Sequence, residues 1–194
     1  GQFFESAVLT AGKDVQATYL LNCQLKANGK LLVEGRKGVI IGGKTCAKLG
    51  ISCNGIGNIA EIATVVSVGI DKEDMTAYQE LQKKIEQTQA ELQTCENGLN
   101  KLMANPVHDE KVSMMIQRLT RAVYTLKSSR KELFSERNAQ MEQMTKQKEA
   151  RIQVSGRAYP GTLLFLNEDP FAIKEIYNNV EFVKHDNRID TLAH

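Results

Sequence analysis

From Lys72 to Ala150 the chain keeps an apolar period of three and four residues, and that stretch decides what the rest can be. In its first half the apolar positions are Tyr78, Leu81, Ile85, Leu92, Cys95, Leu99 and Leu102, with only Thr88 polar among them. That is the seam of a coiled coil. The second half repeats it at Val112, Ile116, Leu119, Val123, Leu126, Leu133 and Met144, with Met115 and Ala122 widening the stripe. Between the halves stands Ala104-Asn105-Pro106-Val107-His108. Asn105 suits a helix N-cap, and Pro106 suits the first helical position, where its missing N–H costs nothing. The expectation is one long antiparallel hairpin over 72–150, with its tip near 104–108.

Arms of ~33 and ~45 residues at ~1.5 Å per residue project roughly 50 to 65 Å, too far for a compact domain. A hairpin returns the chain to its start, so residues 1–71 and 151–194 can form one base. The arms also carry opposite charge excesses. Residues 72–104 hold six acidic and four basic side chains, residues 106–150 six and nine, a modest aid to pairing. Near the base Arg130, Arg137 and Gln140 fall in seam register, which predicts a looser end there.

The base alternates apolar and polar residues with period two, as in Ala7, Leu9 and Ala11, then Cys23, Leu25 and Ala27, then Thr45, Ala47, Leu49, Ile51 and Cys53. A weak repeat accompanies it: Leu9-Thr10-Ala11, Leu25-Lys26-Ala27 and Thr45-Cys46-Ala47. Small inward residues at such intervals suit the stacked rungs of a β-solenoid, with an antiparallel sandwich as the competitor. Asn28-Gly29 is the one two-residue hairpin signature. Ile59 to Ile70 reads as a further strand, and Asp71 as the N-cap of the first arm, with Asp74 in the capping-box position. After the hairpin come a strand at Ile152-Gln153-Val154, a turn at Tyr159-Pro160-Gly161 and a buried strand at Leu163 to Leu166. Strands at Phe171 to Tyr177 and Val180 to Val183, divided by Asn178-Asn179, lead to a last one near Ile189 to Leu192. Together they make a small antiparallel cap over the open edge. The fold class is α+β: a β-solenoid base with an inserted coiled-coil hairpin.

One stretch matches a catalytic signature. Gly38-Val39-Ile40-Ile41-Gly42-Gly43-Lys44-Thr45 fits the phosphate-binding G-x-x-x-x-G-K-[ST] pattern, with Gly43, Lys44 and Thr45 as its working residues. That loop needs a helix starting at the Lys-Thr, so that N–H groups and dipole face the phosphates. Here two glycines and strand alternation follow instead, and no apolar strand ending in Asp supplies a Walker B. Nucleotide binding is therefore the alternative rather than the main reading. His108, His185 and His194 are scattered and form no ligand cluster, so no metal, cofactor or catalytic set is assigned. Arg118, Arg121, Lys127, Arg130, Lys131 and Arg137 make the second arm basic. With Glu132 and Glu136 interspersed and no aromatic platform, a solvated face is preferred over nucleic-acid binding. The four cysteines, Cys23, Cys46, Cys53 and Cys95, show no Cys-x-x-Cys pair and read as buried thiols. No apolar run reaches the ~18 residues of a membrane span. The chain opens Gly-Gln without Met, which suggests a fragment; a cytoplasmic compartment is the default.

The run Lys37-Gly38-Val39-Ile40-Ile41-Gly42-Gly43, then Ile56-Gly57, Val68-Gly69-Ile70-Asp71, the hairpin, Ile152-Gln153-Val154 and Tyr159-Pro160-Gly161, resembles in its order the bacterial flagellar assembly protein A family, across nearly the whole chain. The resemblance implies a β-solenoid with an inserted coiled coil in a bacterial cytoplasmic protein. It also implies a role in flagellar assembly or placement, and it turns the Gly-Gly after Ile41 into a solenoid corner. It brings no catalytic residues. The resulting reading is a non-enzymatic scaffold that acts through protein contacts and possible homo-oligomers. Asn105, Pro106 and His108 at the tip are its candidate contact residues.

Overall fold

The repeat of Leu-x-Ala triplets sets the register of the sheet. In the computed structural model, which describes residues 3–104, 109–186 and 188–193, Leu9 lies beside Leu25, Leu25 beside Thr45, Thr45 beside Val66 and Val66 beside Leu164. Two residues on, Ala11, Ala27, Ala47, Val68 and Leu166 form a second column. Every step within both columns is parallel, as in a solenoid and unlike an antiparallel sandwich.

The coils can be followed strand by strand. The first comprises β1 (Phe3–Glu5), β2 (Val8–Ala11) and β3 (Val15–Ala17); the second β4 (Tyr19–Ala27) and β5 (Leu31–Val33); the third β6 (Val39–Ala47) and the start of β7 (Ile51–Ile56). The end of β7, then β8 (Thr64–Val68) and the start of β9 (Ile152–Ala158), make the fourth, and the end of β9 with β10 (Thr162–Leu166) begins the fifth. Another side of the coil stacks Val15, Leu31, Ile51 and Ile152. The third stacks Leu20, Ile40, Ile56 and Ala158.

Strands β4 and β6 each pair with one strand through their first residues and another through their last, so each turns a corner midway. Asn22, at φ 51°, and Gly42 and Gly43, at φ 70° and 73°, make those bends. A Cβ on Gly43 would fall on the Cys23 carbonyl oxygen, so only glycine fits. Asn28-Gly29 proves to be another corner rather than a hairpin: β4 and β5 do not pair, and Asp14 Oδ1 accepts the Lys30 N–H at 2.7 Å.

The interior is mainly apolar, with Thr45, Thr64 and Thr162 buried among the aliphatic side chains. Leu31, Val33, Ile40, Ile56, Ile152, Val154, Leu164 and Leu166 are completely buried, each contributing about 1.5–3 kcal/mol of transfer free energy. At the C-terminal end the parallel stacking stops. Strand β11 (Asp169–Ala172) runs antiparallel to β10, and β12 (Tyr177–His185) antiparallel to β9, with β13 (Arg188–Ala193) outside it. Phe171, Tyr177 and buried Phe182 pack ring against ring at 5.6–6.3 Å. Asn178-Asn179 does not divide two strands; it is a bulge inside β12, with Asn179 at φ 46°. The strand expected over 59–70 shrinks to β8, and Ile59 is 83% exposed.

Two helices occupy the interval between β8 and β9: α1 (Lys72–Met103) and α2 (Glu110–Lys148). Close contacts group Gly1–Lys72 with Gln143–His194 as one unit and Glu73–Glu142 as another. Within the helical unit, Leu81, Ile85 and Leu92 are buried, and the half-buried positions continue their spacing through Tyr78, Thr88, Cys95, Leu99 and Leu102. On α2 the half-buried positions run Val112, Ile116, Leu119, Val123, Leu126, Arg130, Leu133, Arg137 and Gln140. Contacts that join the helices include Gln140 Nε2 donating to the Asp74 carbonyl at 3.5 Å, Arg130 donating to Gln89 at 2.8 Å, and Lys127 paired with Glu96 at 2.9 Å. Met115 does not widen the seam; it is 52% exposed.

Candidate functional site

The phosphate-loop pattern lands in β6, where its parts are pulled apart. Alternation along a strand sends successive side chains to opposite faces; Lys44 is exposed while Thr45 is buried in the solenoid, its Oγ1 without a hydrogen-bond partner. The two cannot meet one phosphate. The Gly42 N–H, which a phosphate nest would need free, donates to Thr64 Oγ1 at 2.9 Å. Residue 45 is followed by Cys46 and Ala47 still in strand, so no helix dipole is aimed at the site.

The cysteines are free thiols. Cys23 and Cys53 are buried, and Cys46 and Cys95 are half-buried. Burial pushes the Cys53 thiol up to about 12, against a weaker opposing hydrogen bond from Gly55, so it is neutral and unreactive at ordinary pH. His185 meets Asp190 at 3.1 Å across the β12–β13 hairpin, with both side chains largely exposed. Among the described residues no three His, Cys, Asp or Glu side chains converge as a metal site, and no helix is long and apolar enough to cross a membrane. His108, with Asn105 and Pro106, lies outside the described residues, as does His194.

An open groove of about 450 Å³ runs along the solenoid corner lined by Lys30, Leu49, Gly50, Ser52, Lys146 and Arg151. It holds no built anion site: Glu149 shares its lining, and Arg151 is committed to Glu181 at 3.2 Å.

The junction of the helices with the solenoid is more specific. The chain leaves after β8 through Gly69, at φ 89°, and returns at the end of α2. Asn167, in the next coil and itself at φ 50°, holds both ends. Its Oδ1 accepts the Ile70 N–H at 2.9 Å, and its Nδ2 donates to the Lys148 carbonyl at 3.1 Å, one of the orphan carbonyls of a helix terminus. Beside it Asp71 meets Lys26 at 3.6 Å and Lys48 at 4.0 Å. Asn167 was not singled out from the sequence; the Asn-Glu pair after Leu166 carries only a turn signal.

The aromatic side chains of α2 were also missed. Tyr124 is 78% exposed, and Phe134 is 37% exposed with the Arg137 guanidinium 4.6 Å from its ring. Each follows a half-buried apolar residue, Val123 and Leu133, so each reads in sequence as a doubled core position.

No curated protein and no solved structure matches this chain. The family profile for the Flagellar Assembly Protein A (FapA) beta solenoid domain matches residues 1–189. Parallel coils in the register of the triplet repeat, glycine corners where the phosphate loop would have been, and a match over nearly every residue place the chain in the flagellar assembly protein A β-solenoid family.

Proposed function

We propose that this chain is a non-enzymatic scaffold for flagellar assembly or placement. Residues 1–71 and 151–194 act as its base, and residues 72–150 as an antiparallel coiled-coil hairpin that it holds out to protein partners. The order of the contacts between α1 and α2 supports the hairpin: partners of Asp74, Gln89 and Glu96 fall at Gln140, Arg130 and Lys127, descending on one helix as they ascend on the other. The heptad spacing of the shielded positions on both helices supports the coiled coil. The tip residues Asn105, Pro106 and His108 are part of the proposed contact surface.

One observation carries the reading. The solenoid register resumes after the insertion: Thr64 to Val68 pair with Thr162 to Leu166, and Ile51 to Cys53 pair with Ile152 to Val154, before a one-residue bulge in β9 opposite Asn54. The helices therefore complete no rung. A segment of this length, ordered at the cost of its conformational entropy and adding nothing to the coil, has its use outside the coil. Family membership supplies the process.

The test replaces residues 73–142 with a short Gly/Ser loop in the native locus. The solenoid should fold with its β-sheet spectrum intact, while flagellar number or position fails as it does when the whole gene is removed. Normal flagellation with the helices gone would refute the reading.

A further inference from the structure

We propose that the helical pair carries a self-association face, and that its occupant is the same face of a second copy. The proposal deepens the scaffold reading and rests on the antiparallel hairpin within it.

Five large apolar side chains stand exposed on one flank. Met75, Met103, Tyr124, Phe134 and Met141 are 43%, 62%, 78%, 37% and 54% accessible. Each follows a shielded position by one residue: Asp74, Leu102, Val123, Leu133 and Gln140. One residue is a rotation of ~100°, so all five lie to the same side of their own seam. In an antiparallel pair that side is shared, and the ion pair between Glu96 and Lys127, each one residue past a seam position, marks it. Met114 and Met115 precede Ile116 and belong to other faces. Polar positions of the same flank, among them Gln82, Gln89, Lys131 and Asn138, lie between them.

The spacing identifies the occupant. Met75 and Met103 lie two heptads to either side of Gln89 on α1. On α2, Tyr124 and Met141 lie evenly about Glu132-Leu133, with Phe134 beside the midpoint. The Arg130–Gln89 hydrogen bond puts those two midpoints at nearly one level along the pair. A single two-fold axis across the helices at that level then sets Met75 against Met103 of the second copy, Tyr124 against its Met141, and Phe134 near its own counterpart. Lys131, which has no ion-pair partner among the described residues, meets the face of the opposing Phe134 ring. Lys127 falls opposite Asn138, and Glu96 opposite Gln82, so like charges do not meet. An axis along the helices would instead lay Tyr124 and Phe134 over the glutamine-rich flank of α1.

The area is sufficient. From Met75 to Met103 the face runs roughly 40 Å, and two adjacent helices are about 20 Å wide, which gives about 800 Å² per copy, the size of a standard specific interface. A closed, isologous dimer follows.

The test uses the full chain in analytical ultracentrifugation over a concentration series. The parent should sediment as a dimer, and Tyr124→Lys with Phe134→Lys should raise its dissociation constant at least thirtyfold, as loss of interface hot spots does, at unchanged helical circular dichroism. Glu80→Lys with Thr125→Lys, on the opposite flank, should leave the dimer intact. With Cys46 and Cys95 replaced by serine, mixing Met75→Cys chains with Met103→Cys chains should give an interchain disulfide. A monomeric parent, or a dimer indifferent to Tyr124→Lys with Phe134→Lys, overturns the proposal. A short bismaleimide between Gly98→Cys and Leu119→Cys of one chain separates the two readings. Intrachain bridging with a monomer refutes only the dimer, whereas failure to bridge within the chain refutes the hairpin and the dimer with it.

Discussion

Replacing Asn167 should loosen the point at which the helical insertion joins the solenoid, and the structure allows its two roles to be separated. The side chain makes two hydrogen bonds to backbone, one with each end of the insertion, and the residue holds φ 50°. Each bond is worth about 0.5–1.5 kcal/mol net. The left-handed backbone costs an alanine roughly 1 kcal/mol more than it costs asparagine or glycine. Asn167→Asp keeps the acceptor for the Ile70 N–H and sets a carboxylate oxygen against the Lys148 carbonyl, so it should cost about 1–2 kcal/mol. Asn167→Gly removes both bonds and relieves the backbone, for about 1–3 kcal/mol. Asn167→Ala removes both and keeps the strain, for about 2–4 kcal/mol. Urea unfolding read by tyrosine fluorescence, the chain having no tryptophan, measures the series. Alanine must be worse than glycine. Equal values would show that the left-handed backbone contributes nothing, and three variants within about 0.5 kcal/mol of the parent would show that the clamp does not bear on solenoid stability.

Two further outcomes bear on the residues of the phosphate-loop pattern and on the thiols. Thr45→Val exchanges a buried hydroxyl without a partner for a methyl of the same shape, so stability should rise by about 1 kcal/mol, whereas exposed Lys44→Ala should change it by less than about 0.5 kcal/mol. A loss of stability in Thr45→Val would mean that the hydroxyl has a partner. Cys53, raised from 9.0 to about 12 by burial, should resist iodoacetamide at pH 8 in the folded chain, with Cys46 and Cys95 alkylated first. Because the folded value is the higher one, the Cys53 contribution to stability is complete below pH 9 and declines as pH rises above it. Mass mapping after timed alkylation checks the order, and early modification of Cys53 would refute its burial.

Much of the solenoid was legible because its columns are written in the chain. The triplets at Leu9, Leu25 and Thr45 repeat in sequence, and stack in space although the coils between them differ in length. The two helices were legible from their apolar period of three and four. Corners were harder. Asn28-Gly29 has the chemistry of a hairpin turn, and only the absence of pairing between its flanking strands shows otherwise. Asn178-Asn179 looks like a break, yet a bulge absorbs it because β9 pairs with β12 before and after it, through Asn178 and again from Val180. Tyr124 and Phe134 were hidden by hydrophobicity itself: a residue beside a seam position counts toward the core in sequence, and only helix rotation puts it in solvent. Asn167 was illegible because its partners, Ile70 and Lys148, are set by the return of the chain after two long helices.

The site of the insertion follows from the way a solenoid is built. Along a coil side, each strand bonds to the rung before and the rung after, so an excursion there would break two ladders and leave buried backbone groups without partners. At a corner between two strands the residues stand outside the regular strand pairing. The corner between β8 and β9 is equivalent to those at Asn28-Gly29-Lys30 and Lys48-Leu49-Gly50, since the Lys30, Gly50 and Arg151 positions fall successively in line: Val15 N–H donates to the Lys30 carbonyl, Leu31 N–H to that of Gly50, and Ile51 N–H to that of Arg151. At the first two corners three residues suffice; at the third the chain makes two helices and resumes the same hydrogen-bond pattern at Arg151. The one added requirement is that exit and return lie close together, which the proposed antiparallel pairing would provide and Asn167 secures from the next rung. A helical insertion can therefore lengthen, shorten or change its surface without disturbing a rung, which is the property the proposed scaffold needs if its base is to stay constant while its partners differ.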